Sequence, residues 1–248
     1  MALETVAVLL AAPFVGSFLG VVIDRLPTGR PLLVGRSRCE ACGATLGAKE
    51  LLPVVSWLRQ RGRCAYCRAE LGTFYPIIEL AALAVALSAA WVLSGWLLPV
   101  SCALGWTLLT LAAIDQRHFL LPDPLTLPLI PAGLAMAFAI DPALLVPHLV
   151  GALAGFAAFA AIGALYRRLR RREGLGLGDA KLLAAAGAWI GWQALPGLVV
   201  VAAVCALAVA LARALTGDRV SATTQIAFGS YLALAFWLVW LLGPPMLA

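Results

Sequence analysis

The chain has 248 residues, 63% of them hydrophobic and 12% charged, with a net charge of +6. That balance leaves too few polar side chains to wet a soluble domain, which excludes an ordinary water-soluble enzyme or binding module. The positive charge is accounted for by topology and anionic lipid headgroups, so no nucleic-acid partner is expected.

The apolar residues come in runs near the ~20 needed to cross the hydrocarbon core. The first, Leu3 to Ile23, has one acid at its outer end and no basic segment before it, so it reads as a retained spanning helix and not a cleaved signal peptide. Pro13 and Gly16 are tolerated in such a helix. Further spans are expected at 77–98, 100–115, 124–140, 144–166, 179–194, 196–214 and 226–246, eight in all. The positive-inside rule tests that count. All 18 Lys and Arg fall on one side: nine between Arg25 and Arg68, then Arg117, the cluster Arg167, Arg168, Arg170, Arg171 and Arg172, Lys181, Arg213 and Arg219. The opposite connections, around Gly95, Asp141 and Gln193, have none. The expectation is an all-α polytopic membrane protein with about eight transmembrane helices and both termini facing away from the cytoplasm.

Between the first and second spans lies a cytoplasmic segment of about fifty residues holding Cys39-Glu-Ala-Cys42 and Cys64-Ala-Tyr-Cys67. Two Cys-x-x-Cys knuckles, each supplying two thiolates, match a structural tetrathiolate zinc site. Two disulfides are the competing arrangement, which a reducing cytosol disfavours. A segment so short buries little core, so metal would stabilise it instead. Four thiolates leave no open position for a substrate, and Cys102 and Cys205 read as packed membrane cysteines.

Most of the twelve acids lie in loops, among them Glu40, Glu50, Glu70, Glu173 and Asp218. Four lie at the cytoplasmic membrane face: Glu79, Asp115, Asp123 and Asp179. Asp115 ends a helix running inward, and Asp179, after Gly174-Leu-Gly-Leu-Gly178, opens one running outward. Topology gives them one depth although they stand 64 positions apart. Two close carboxylates share a proton, so one can activate water while the other polarises a carbonyl, the chemistry of aspartyl proteolysis. Plainer uses exist. Asp179 can cap its helix, Asp115 can pair with Arg117 or the headgroup region, and Asp123, between two prolines, reads as a cap. His118 and His148 lack partners for a metal or nucleophile site. No Gly-x-Ser-x-Gly or His-Glu-x-x-His motif occurs.

These residues resemble the type IV prepilin peptidases, within the wider Gly-x-Gly-Asp aspartyl proteases. The resemblance covers nearly the whole chain and rests on Gly16-Ser-Phe-Leu-Gly-Val-Val-Ile-Asp-Arg-Leu-Pro27, Arg36-Ser-Arg-Cys39, Leu52-Pro-Val-Val-Ser-Trp-Leu58, Arg61-Gly-Arg-Cys64, Tyr75-Pro-Ile-Ile-Glu79, Leu121-Pro-Asp-Pro-Leu-Thr-Leu-Pro128 and Gly176-Leu-Gly-Asp-Ala-Lys-Leu182. Gly20 and Asp24 depart from the family's Asn and His, and no Arg precedes Tyr75-Pro76 at Thr73 and Phe74.

The resemblance implies cleavage of the leaders of type IV prepilins or type II secretion pseudopilins at the cytoplasmic face, with Asp115 and Asp179 as the catalytic pair. It also implies methylation of the new N-terminal amine by S-adenosylmethionine, an activity associated with the cysteine loop. The expected division is a first transmembrane helix at 1–23, the tetracysteine methyltransferase-associated domain with structural Zn2+ at 24–76, a second transmembrane helix at 77–100 and a peptidase membrane core at 101–248. The alternatives are a related protease without methyltransferase activity and, from another class, a proton- or ion-coupled transporter, which predicts inverted repeats.

Overall fold

Helix formation follows the apolar runs. The computed structural model describes residues 3–32, 37–39, 41–47, 49–171, 174–216 and 225–243. Arg36, Glu40, Arg172, Glu173, Asp218 and Arg219 lie outside them. The helices are α1 (Leu3–Arg25), α2 (Val55–Arg59), α3 (Phe74–Val92), α4 (Leu97–His118), α5 (Asp123–Ile140), α6 (Leu145–Arg170), α7 (Leu177–Leu215) and α8 (Phe228–Leu242). They divide into two units, Met1–Thr110 and Leu111–Ala248, with the boundary inside α4.

In the first unit α1 packs on α3 through small residues, as membrane helices do where backbones must approach closely. A Cβ at Gly16 would come 2.6 Å from the Glu79 Cα, and one at Gly20 2.7 Å from the Tyr75 ring. Gly20 therefore makes room for Tyr75. Glu79 is buried, and its carboxylate accepts from the Val54 amide at 2.7 Å. It ties the loop turn at Val54, which has φ 58, to the membrane helix. Glu4 accepts from the Gly95 amide at 2.9 Å, placing the start of α1 beside the α3–α4 turn.

In the second unit α6 and α7 meet through Gly151 and Gly187, whose backbones are in direct contact. Gly187→Ala would drive a methyl group into the Gly151 backbone. It is expected to cost about 1–3 kcal/mol, read as a lowered thermal unfolding midpoint in detergent. Gly133 leaves room for the Trp189 indole, which donates to the Leu129 carbonyl at 2.8 Å and stacks edge-on against Trp240.

Among the described residues, six helical stretches are long and apolar enough to span a bilayer, against the eight spans expected. The predicted spans 179–194 and 196–214 form one helical element, broken at Gly191 with φ 74 and ψ 170. The break falls at Gly191 because glycine adopts positive φ without steric cost. The last predicted span appears as α8, whose 15 residues reach about 22 Å.

Candidate active site

Asp115 lies in the last turn of α4 and Asp179 is the third residue of α7. Both belong to the second unit. The chain leaves α4 through Phe119, at φ 51, a conformation uncommon for a bulky residue. This turn delivers Leu121 into the space between the two helix ends: a Cβ on Gly178 would meet the Leu121 Cβ at 3.0 Å.

Asp115 is 5% exposed. Its Oδ2 accepts from the Ser230 amide at 2.8 Å, and the Ser230 hydroxyl lies 3.1 Å away. Asp179 Oδ2 accepts the Gly176 amide at 3.3 Å, so this carboxylate does reach back to the start of its helix as a cap would. Its other oxygen points elsewhere. A Cβ built on Gly229 would lie 3.0 Å from Asp115 Oδ2 and 3.0 Å from Asp179 Oδ1. The two oxygens are thus separated by at most twice that distance, close enough for one water to bridge them. The structure brings the two sequence-predicted aspartates together.

Asp123 is not a cap. Pro122 occupies the N-cap position of α5, and the Asp123 carboxylate instead accepts from Lys181 Nζ at 2.6 Å. The two prolines do mark the start of α5, but the lysine two positions beyond Asp179 claims the acid's side chain. Sequence reasoning missed Gly229 and Ser230. They lie over a hundred positions from Asp115, in a segment with no motif of its own, and no local signal marks them.

In the first unit the four thiols form one cluster, every Sγ within 4.8 Å of the others. The two knuckles repeat the same geometry. Cys39 donates its amide to Ala44 and Cys64 to Ala69, and each turn closes on a left-handed residue, Gly43 at φ 70 and Arg68 at φ 62. The Cys64 thiol is pulled down to about 6 by the backbone amides of Cys67 and Tyr66. Against the lowering pull of the Ala69 amide, burial and the thiols of Cys42, Cys64 and Cys39 push Cys67 up to about 11. A regular tetrahedron of sulfurs at zinc bond length has edges of about 3.8 Å. The Cys39–Cys67 separation of 3.9 Å matches that edge, so the cluster fits a metal of zinc's size and preference.

These features define a multi-pass helical membrane protein with a paired-carboxylate site and a tetracysteine loop. Residues 10–93 match the bacterial Peptidase A24 N-terminal domain, and residues 102–211 match the type IV leader peptidase family. The chain is 42% identical over 246 residues to a prepilin leader peptidase/N-methyltransferase of Burkholderia pseudomallei, covering 88% of this chain and 79% of that one. Proteins of the same name are similar at 35% identity in Aeromonas hydrophila, over 95% of this chain and 90% of the relative, and in Pseudomonas aeruginosa, over 92% and 87%. The chain belongs to the type IV leader peptidase family. No solved structure matches it.

Proposed function

We propose that this protein cleaves the leader peptides of type IV prepilins or pseudopilins with Asp115 and Asp179, and then methylates the new N-terminal amine. The observation that carries the peptidase reading is the convergence of the two carboxylates on one point beside Gly229. Family membership in a chain of apolar helices places the protein in the inner membrane as a multi-pass protein. The one-sided distribution of Lys and Arg supports periplasmic termini and a site at the cytoplasmic face.

In the proposed chemistry one carboxyl is ionised and the other protonated. The ionised partner takes a proton from water, whose oxygen adds to the scissile carbonyl carbon. The protonated partner gives its proton to the carbonyl oxygen. Collapse of the resulting gem-diol breaks the C–N bond and passes a proton to the amine nitrogen. The products are a leader ending in a carboxylic acid and a mature chain with a free amine. The reaction consumes one water and returns the pair to its starting protonation state.

S-adenosylmethionine, when bound, supplies an electrophilic methyl group for that amine. The names of the relatives support this second activity. We assign it to the part of the chain around 24–76 and proteolysis to 101–248, with Cys39, Cys42, Cys64 and Cys67 holding structural zinc that shapes the loop. A transporter is disfavoured, because the relatives are enzymes and a tetrathiolate loop serves no ion pathway.

Incubating the purified protein with a prepilin and a methyl-labelled donor tests the proposal. The expected result is a shortened pilin carrying label on its N-terminal residue. Cleavage without label would remove the transferase half, and an uncleaved prepilin would overturn the peptidase reading.

A further inference from the structure

The first turn of α8 treats the two aspartates unequally. Asp115 Oδ2 faces two donors on Ser230, the amide at 2.8 Å and the hydroxyl at 3.1 Å. Asp179 receives one longer bond, from Gly176 at 3.3 Å, and that bond falls on Oδ2. Its Oδ1 is the oxygen turned toward Gly229. We propose that Ser230, brought up by Gly229, is a positioning residue that makes Asp115 the proton-accepting member of the pair. This inference rests on the reading of Asp115 and Asp179 as the catalytic pair.

The hydroxyl adds a second property. It lies 2.9 Å from the Ala112 carbonyl as well as 3.1 Å from Asp115, yet it has one proton to donate. With Asp115 ionised, the hydroxyl donates to the carboxylate. Once Asp115 has taken the proton from water, the hydroxyl turns to the Ala112 carbonyl and accepts from the new carboxyl O–H. One side chain thereby satisfies both protonation states that Asp115 visits in each turnover. The Ser230 side chain is nearly buried, so water is poorly placed to substitute for it.

Gly229 is the geometric condition for this arrangement. An alanine methyl there would stand 3.0 Å from both carboxylates and 2.8 Å from Leu121 Cδ1, pushing the first turn of α8 off the pair. A rotating hydroxyl does its work only if the turn stays close.

The test is steady-state cleavage of a prepilin by full-length protein in detergent micelles. Ser230→Ala should lower kcat about 10- to 100-fold, the scale of hydrogen bonds to a charged group, and leave KM within about twofold. Ser230→Thr, which keeps the hydroxyl, should recover most of the lost kcat. An unchanged kcat in Ser230→Ala overturns the proposal. So does a loss in Ser230→Ala that appears in KM alone, because packing and not proton handling would then be at stake. Asp115→Asn and Asp179→Asn run alongside separate the two claims. Activity in either Asn variant defeats the catalytic pair itself, whereas inactive Asn variants beside a fully active Ser230→Ala defeat only the role of Ser230.

Discussion

Asp115→Asn and Asp179→Asn are each expected to reduce prepilin cleavage by about 10²–10⁴-fold or more, the range that general acid–base groups contribute. Asparagine keeps the size and planarity of the side chain, so helix packing around Leu121 and Gly229 is preserved. What it removes is the ability to exchange a proton. In Asp115→Asn the amide oxygen can still accept from Ser230, so the loss cannot be assigned to a collapsed α8 contact. In Asp179→Asn the oxygen can likewise still accept from Gly176. Both variants should therefore reach the membrane at the level of the parent protein, which immunoblotting of membrane fractions checks, while prepilin stays at its uncleaved mobility. Full activity in either variant would break the pair.

Replacing Cys39 or Cys64 with serine is expected to remove bound zinc, from about one ion per chain to none, as measured by elemental analysis of the purified protein. The effect on the loop should be large, since structural zinc contributes on the order of 10 kcal/mol to small domains that lack another core. The loop is such a case. Its buried side chains include Cys39 and Cys64 themselves, while Leu51, Val55 and Leu58 of the neighbouring segment are exposed. Without metal, limited proteolysis should cut between Ser37 and Leu71 first. If labour is divided as proposed, methyl transfer should fall further than cleavage in these variants. Zinc absent from the intact protein would refute the assignment.

Much of this was legible before any coordinates, and for identifiable reasons. Hydropathy located the helices because a bilayer demands long apolar runs. The tetracysteine cluster was readable because each Cys-x-x-Cys pair sits on one short turn, whose spacing holds its two sulfurs together. The aspartates were found through a longer chain of reasoning, from charge asymmetry to a shared depth, and the structure brings them side by side. The break in α7 was expected between 194 and 196 and falls a few residues earlier, at Gly191, because hydropathy marks apolar runs and not the residue where the backbone turns. Asp123 was misread because its partner, Lys181, is 58 positions away. Ser230 was invisible because a lone serine in an apolar segment looks like any other.

The break at Gly191 leaves Asp179 at the head of a segment of 14 residues, 177–190, about 21 Å long. A hydrocarbon core of about 30 Å is thicker than that. Ala180 and Leu182 to Gly191 are buried by the protein's own helices, so protein and not lipid surrounds this short segment. A helix enclosed in this way does not have to match the bilayer thickness, because neighbouring helices cover it. Hydrolysis consumes water, and the exposed residues beside Asp179, namely Gly174, Gly176 and Leu177, mark the side from which it comes. Asp179 thus stays near water at one end of a helix that protein covers along the rest of its length.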